Sequence, residues 1–154
     1  MPSTVVDQEC WMMYFDGSLM KKGARVGLVF VSPHGVRMRY AICIHFSVSN
    51  NVAKYEALVN GLRIAIELGI RWLDVRGNSQ LVIDQVMKES SFHHAKMAAY
   101  CLEVQQLEDK FDGLELNHIP RWLNKVADTL AKMASSQELV PIGIFASNLH
   151  KPLV

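Results

Sequence analysis

Residues 50–66 read NNVAKYEALVNGLRIAI, and their hydrophobic spacing is the clearest structural signal in the chain. Apolar side chains recur at steps of three and four residues, which places them on one face of an α-helix. Ser49 or Asn50 can cap the start of this helix, and Gly69 is placed to end it. The pattern therefore predicts a long helix with one core-facing side, formed by Tyr55, Leu58, Val59, Leu62 and Ile66.

The residues before this helix predict three strands. Residues 11–15 form an apolar run that ends at the turn signal Asp16-Gly17-Ser18. Apolar residues alternate with glycine and polar residues over 25–32, and a further strand is expected over 36–46. Because strands joined by short turns usually pair with each other, we expect an antiparallel block with the first strand in its middle or at one side.

The residues after the helix alternate between strand and helix patterns. Strands are expected over 72–77 and 114–119, and helices over 79–88, around Tyr100 to Phe111, and over 123–134. The order βββαβααβα predicts an α/β fold with a five-stranded mixed sheet, three antiparallel strands followed by two parallel ones, flanked by helices. We expect an N-terminal extension over 1–9, one domain over 10–136 and a C-terminal tail over 137–154.

The composition is that of one globular domain. Of 154 residues, 50% are hydrophobic and 20% are charged, which is too apolar for a disordered chain. No apolar run approaches the roughly 20 residues of a membrane helix, and the N-terminus has no signal-peptide pattern. We therefore expect an intracellular protein, in the cytoplasm or the nucleus. The net charge of +1 gives no global attraction to nucleic acid. A local patch of basic residues could still bind it.

Two aspartates stand out as candidate metal ligands. Asp16 follows the first apolar run and precedes a glycine, and Asp128 lies in the last predicted helix. Carboxylates that converge at strand ends are the ligands that hard divalent cations require in phosphodiester chemistry. By composition and position alone, each of the two is more often a solvated charge.

Four motifs in order give these aspartates a context. They are YFDGS at 14–18, NNVAKYEAL at 50–58, GNSQLV at 77–82 and HIPRWLNKVADTLA at 118–131. Together they resemble the type 1 ribonuclease H domain over about residues 10–136. The version they resemble most is the one carried in plant gypsy-class LTR retrotransposon polyproteins, whose following segment is also similar to residues 141–152.

The resemblance implies a fold, a reaction and a site. Members cut the RNA strand of RNA–DNA hybrids with four carboxylates that hold two Mg²⁺ ions, and Mn²⁺ is an alternative metal. Asp16 matches the first of these carboxylates and Asp128 the fourth. The other two positions depart from the pattern, because the glutamate is Lys54 here and the aspartate of the third motif is Asn78. Two of four ligands are lost, and one has become a cation that repels metal.

These departures predict a catalytically impaired domain, with Asp16 and Asp128 as a remnant site where metal binding is weak or absent. Glu56 matches a second, non-catalytic glutamate of the pattern. A step of two residues turns about 200° around a helix, so Glu56 should point away from the Lys54 position. Because Glu→Lys is not an isosteric change, natural decay or repurposing is favoured over laboratory inactivation.

The substrate side of the pattern is better preserved. Asn50 and Asn51 match the family's pair at the start of the first helix, which reaches the hybrid. Ser49 stands beside them, where its hydroxyl and the helix N-terminus could meet a phosphate, although Ser49 and Asn50 could simply cap that helix. His118 is a weak candidate for a proton shuttle and is expected on the last strand. The expected partner is an RNA–DNA hybrid, bound with modest affinity by a monomer or by part of a larger polyprotein, with no membrane partner.

Two interpretations remain open at this point. One is an impaired ribonuclease H domain. The other is a non-catalytic module of the same fold, derived from a retroelement, that binds nucleic acid or has a structural role. A third possibility, an unrelated α/β protein-interaction domain, is disfavoured by the order of the four motifs.

Overall fold

A computed structural model describes residues 10–20, 23–46, 48–77, 95–124 and 144–150. Asn78, Asp128, the predicted helix over 79–88 and most of the predicted helix over 123–134 lie outside the described residues. Six strands form one sheet: β1 (Cys10–Met20), β2 (Gly23–Val31), β3 (Arg37–Ile44), β4 (Trp72–Gly77), β5 (Gly113–His118) and β6 (Ile144–Leu149). Two α-helices, α1 (Asn50–Glu67) and α2 (Ala95–Glu108), and a 3₁₀ turn at Arg121–Asn124 complete the described elements.

The sheet is mixed, with the strand order β5-β4-β1-β2-β3-β6. β1 to β3 pair antiparallel, whereas β4 is parallel to β1 and β5 is parallel to β4. The predicted α/β class and its arrangement of three antiparallel strands followed by two parallel ones are therefore confirmed. β1 lies in the middle of the sheet because it pairs with β2 on one side and with β4 on the other.

The predicted number of five strands is wrong, because a sixth strand lies in the segment expected to be a tail. β6 pairs parallel with β3, with Arg39 opposite Ile144 and Ile44 opposite Leu149. The backbone N–H of His45 continues this pairing by donating to the carbonyl of Leu149 at 2.9 Å. The partner strand is about a hundred residues away in the chain, so no local pattern in the tail indicates it.

The first strand is also longer than its apolar run. Asp16-Gly17-Ser18 was expected to end it, but β1 continues to Met20, which pairs with Gly23. Cross-strand hydrogen bonds to β2 keep this part extended and override the local turn preference of an Asp-Gly-Ser sequence. On the other side of β1, the pairing with β4 stops at Phe15 opposite Gly77.

Helix α1 begins and ends as its sequence predicts. Ser49 is the N-cap, and its Oγ accepts a hydrogen bond from the N–H of Val52 at 3.2 Å. Gly69 has φ +79°, the left-handed conformation that glycine adopts without strain just beyond a helix end. The predicted apolar face is buried in the core, where Tyr55, Leu58, Val59 and Leu62 have no solvent exposure.

Helices α1 and α2 pack against each other, and α1 covers β1 and β2. Tyr100, Val104 and Leu107 of α2 are buried, as their spacing predicts. Phe111 is buried as well, although α2 ends at Glu108 before reaching it. On the opposite face of the sheet, a cavity of about 170 Å³ separates the strands from the 3₁₀ turn, lined by Met12, Tyr14, Val29, Val31, Arg37, Leu123 and Asn124. No helix in the described part of the chain is long and apolar enough to span a membrane.

Candidate nucleic-acid and metal site

Asp16 lies where β1 loses its parallel neighbour. β4 ends at Gly77, opposite Phe15, whereas Asp16 still pairs with Gly27 of β2. The Asp16 side chain is only 6% exposed, and its Oδ1 accepts a hydrogen bond from the N–H of Gly17 at 2.9 Å. A carboxylate at the carboxyl end of a parallel strand pair is placed as a metal ligand or a polar anchor would be. Asp16 therefore lies on β1 just beyond the end of its pairing with β4, and its role as a metal ligand stays a prediction.

Helix α1 lies directly against β1, and two glycines make this close approach possible. A Cβ atom on Gly17 would lie 2.7 Å from the carbonyl oxygen of Ala53 and 3.2 Å from the N of Lys54. A Cβ atom on Gly61 would collide with the Met13 side chain. The N-terminal part of α1 is thereby held against the backbone next to Asp16, while its middle packs over Met13.

Lys54 is the fifth residue of α1 and is partly exposed. It precedes Gly61 by seven residues, which is about two helical turns, so both lie on the side of α1 that faces β1. Lys54 therefore stands at the end of the sheet where Asp16 lies. Ion pairs between described residues join Arg63 to Glu103, Arg71 to Asp112 and Arg76 to Asp74, and none of them includes Lys54.

Glu56 faces a different part of the molecule. Its side chain has no solvent exposure, and its Oε1 accepts a short hydrogen bond from the hydroxyl of Tyr100 on α2. Burial raises the pKa of the Tyr100 hydroxyl, and the hydrogen bond to Glu56 raises it further. The expected orientation of Glu56 away from the Lys54 position is confirmed by this contact. Glu56 is therefore part of the interface between the two helices.

The start of α1 carries the predicted nucleic-acid residues. Ser49 caps the helix through its hydroxyl, and its carbonyl also accepts the first helical hydrogen bond, from Ala53 N–H at 2.9 Å. Asn50 is the first helical residue, and Asn51 beside it is partly exposed. The capping role of Ser49 is thus established, and contact of these three residues with nucleic acid stays a prediction.

Two residues of the fourth motif, Asn124 and His118, also lie near this edge of the sheet. The Asn124 side chain is 1% exposed, and its Nδ2 donates to the carbonyl of Phe15 at 2.8 Å, next to Asp16. Asn124 belongs to the fourth motif, but the motif did not indicate that its side chain would hydrogen-bond to the backbone of β1. The signal that could have suggested this is its spacing of four residues from Asp128, which is about one helical turn. His118 ends β5 beside Gly77, as expected for the last strand of the motif, and its side chain is exposed.

Residues 14–134 match the family model described as reverse transcriptase-like. The crystal structure of RNase H1 from the halophilic archaeon Halobacterium salinarum NRC-1 has a TM-score of 0.75 to this chain and is 31% identical. That similarity covers 80% of this chain and 95% of the archaeal one. The chain belongs to the ribonuclease H family.

Further comparisons agree with this assignment. Ribonuclease HI of Halobacterium salinarum is 32% identical over 123 residues, which is 79% of this chain and 62% of that protein. This chain therefore matches less than two thirds of that relative's length. LC11-RNase H1, solved in complex with an RNA/DNA hybrid, has a TM-score of 0.72 and 25% identity, covering 80% of this chain and 94% of that one.

Ribonuclease H homologues generally use divalent metal ions. Within the described ranges, no three His, Cys, Asp or Glu side chains lie close enough together to hold one. Asp74, the described acid nearest in sequence to Asn78, is engaged elsewhere: Arg76 pairs with it at 3.0 Å, and the Nδ2 of Asn117 donates to it at 2.6 Å. Among the described residues, the site thus contains one buried carboxylate, Asp16, whereas a pair of divalent cations needs several oxygen ligands each.

Proposed function

We propose that this chain is a catalytically impaired ribonuclease H domain that binds RNA–DNA hybrids without cutting them efficiently. The family assignment gives the fold and the class of substrate, and LC11-RNase H1, a structural neighbour, was solved bound to an RNA/DNA hybrid. In active members, two metal ions held by four carboxylates would activate water and stabilise the leaving oxygen. This chain supplies Asp16 and Asp128 to such a site, with Lys54 and Asn78 at the other two positions.

The observation that carries the proposal is the position of Lys54. The close approach of the β1 backbone at Gly17 to the backbone of Ala53 and Lys54 supports a place for this lysine at the Asp16 end of the sheet. Two unit charges 4 Å apart interact by about 4 kcal/mol at an effective dielectric of 20, so an ammonium there opposes metal binding strongly. On this proposal, the site has a competing cation where active members have an anionic ligand.

We further propose that the chain derives from a plant gypsy-class retroelement and acts inside the cell, alone or as part of a larger polyprotein. The motif pattern and the match to a reverse transcriptase-like family support this origin. If selection has retained the domain, a non-catalytic role in nucleic-acid binding is the function that its preserved Ser49, Asn50 and Asn51 favour.

A hybrid-cleavage assay with Mg²⁺ and with Mn²⁺ tests this proposal. The wild type should give little or no product, whereas the Lys54→Glu/Asn78→Asp double variant should cut the RNA strand. Either single variant should recover little, because each metal ion must be bound and correctly spaced before either contributes. Mn²⁺ should support cleavage by the double variant at lower concentration than Mg²⁺. The reason is that Mn²⁺ binds imperfect oxygen sites more tightly and tolerates a less regular coordination geometry.

Matched controls separate chemistry from folding. The Lys110→Glu/Asn148→Asp variant makes the same charge changes at exposed residues outside the site and should stay inactive. Asn148 lies on the edge strand β6, and the aspartate keeps the oxygen that contacts His45. Cleavage by the wild type at the rate of the double variant would contradict the proposal. A folded double variant that binds hybrid but does not cut would favour the non-catalytic module, in which further parts of the active site have changed.

A further inference from the structure

Lys54 is a cation that forms no ion pair with another residue in the described ranges. The three arginines in the described ion pairs, Arg63, Arg71 and Arg76, each contact a carboxylate at 3.2 Å or less. Lys54 takes part in none of these pairs, and the first turn of α1 contains no acidic residue. The nearby Asp16 is buried, and its Oδ1 accepts a hydrogen bond from the N–H of Gly17.

Lys54 lies just after the first turn of its helix, where its charge adds to the positive potential of the helix N-terminus. Positive charge close to a helix N-terminus is opposed by the helix dipole and by the amides at that end, typically by a few tenths of a kcal/mol. Lys54 is the fifth residue of α1 and gains no described carboxylate in return. The ammonium and the helix end contribute potential of the same sign, so together they favour an anion at this place.

Accessibility completes the argument. Lys54 is partly exposed, while its neighbours Ala53, Tyr55 and Glu56 have no exposure at all. Its side of α1 faces the end of β1, where the parallel pairing with β4 has stopped. An anion that arrives from solvent at this end of the sheet can therefore reach the lysine, and partly exposed Asn51 lies one turn earlier on the same helix.

We propose that Lys54 binds a phosphodiester group of the hybrid directly, so that the altered site holds nucleic acid without a divalent cation. This inference rests on the hybrid binding proposed above. A lysine ammonium is a compact point charge with three hydrogen-bond donors and suits a phosphate oxygen. The positive charge that an active site of this family takes from metal is thus supplied here by a side chain.

Fluorescence anisotropy with a labelled RNA–DNA hybrid tests this, in buffers that contain either EDTA or Mg²⁺ and at several salt concentrations. The variants are Lys54→Gln, which removes the charge, and Lys54→Arg, which keeps it. Lys110→Gln is the matched control, since it changes the net charge equally at an exposed residue before β5, at the opposite end of the sheet from Gly77. Thermal unfolding of each variant establishes that it is folded.

The wild type should bind equally well in EDTA and in Mg²⁺. Lys54→Gln should raise the Kd about 5- to 15-fold at 50 mM salt and reduce the slope of log K against log salt by about 0.9, the amount for one phosphate contact. Lys54→Arg should recover most of the affinity, and Lys110→Gln should behave as the wild type.

Two results would overturn the inference while leaving hybrid binding intact. One is an unchanged Kd and salt slope for folded Lys54→Gln, and the other is wild-type binding that disappears in EDTA. A wild type that binds no hybrid in any of these buffers would instead reject the proposed function, and this inference with it.

Discussion

Lys54 and Glu56 are two residues apart in the same helix, yet they have opposite relations to the fold. Glu56 is fully buried and joins α1 to α2 through Tyr100. Lys54 is partly exposed, lies at the end of the sheet and belongs to no described ion pair. The helix turns about 200° between them, so one residue faces the interior and the other faces the candidate site.

This difference explains how the fold can survive a change in the chemistry. A charge within a helix interface is constrained, because removing it leaves a buried hydroxyl without its acceptor. A charge at the open end of a sheet can change sign while the core keeps its contacts. Lys54 therefore occupies a position where the fold tolerates a change of charge, whereas Glu56 occupies one where packing requires its side chain.

The largest expected difference between Glu56 and Lys54 is the effect of removing each side chain on stability. Glu56→Ala should lower the free energy of unfolding by about 2–4 kcal/mol, since it leaves the Tyr100 hydroxyl buried without this acceptor and creates a cavity. Lys54→Ala should change it by less than about 0.5 kcal/mol, as expected for a surface substitution. Urea unfolding at neutral pH measures both, and a larger loss for Lys54→Ala would reverse the assignment of the two roles.

The interface between α1 and α2 should also make the folded state less stable at alkaline pH. Burial raises the pKa of Tyr55 and of Tyr100, and the hydrogen bond to Glu56 adds to the effect at Tyr100. Because the folded state disfavours the phenolates, this stabilisation is complete below about pH 10, the ordinary pKa of tyrosine. It is lost as the pH rises above that value, by up to about 1.4 kcal/mol per pH unit for each tyrosine.

Tyr100→Phe isolates one of these two groups. The variant should be less stable by about 1–2 kcal/mol at neutral pH, because the Glu56 carboxylate loses a donor. Its unfolding free energy should then fall less steeply than that of the wild type above pH 10. Equal slopes in urea titrations between pH 9 and pH 11 would show that Tyr100 does not contribute to the alkaline limit.

The smallest expected effect concerns the cap of α1. Ser49→Ala removes the hydroxyl that accepts the N–H of Val52 and should cost about 1 kcal/mol. Ser49→Asp keeps a capping oxygen but places a negative charge next to the phosphate backbone. If Ser49 also contacts the hybrid, Ser49→Asp should be as stable as the wild type but bind hybrid more weakly, whereas equal affinity would limit Ser49 to capping.

Local patterns predict much of this fold, and long-range pairings account for what they miss. The limits of α1 follow from its periodicity, its serine cap and Gly69, and β4 occupies the predicted residues 72–77. The extension of β1 beyond Asp16 depends on pairing with β2, and β6 exists only through pairing with β3. Neither partner can be identified from the residues of the strand itself.

The site shows the same division. The motifs identified Asp16, Lys54 and the start of α1, because their order and spacing are visible in the chain. The partner of Glu56 is 44 residues away, and Asn124 reaches the backbone of Phe15 across 109 residues. Glu56, Asn124 and Phe15 all lie within the motifs, but their contacts form only when distant parts of the chain pack together, so the sequence alone did not indicate them.

Direct titration of Mn²⁺, followed by electron paramagnetic resonance of the free ion, tests the central claim that Lys54 and Asn78 have removed the metal site. The wild type should leave Mn²⁺ free at millimolar concentrations, and the Lys54→Glu/Asn78→Asp variant should bind two ions per chain. Lys110→Glu/Asn148→Asp should behave as the wild type. Two ions bound by the wild type as tightly as by the double variant would contradict the account, because the lysine would then not occupy the position of a metal ligand.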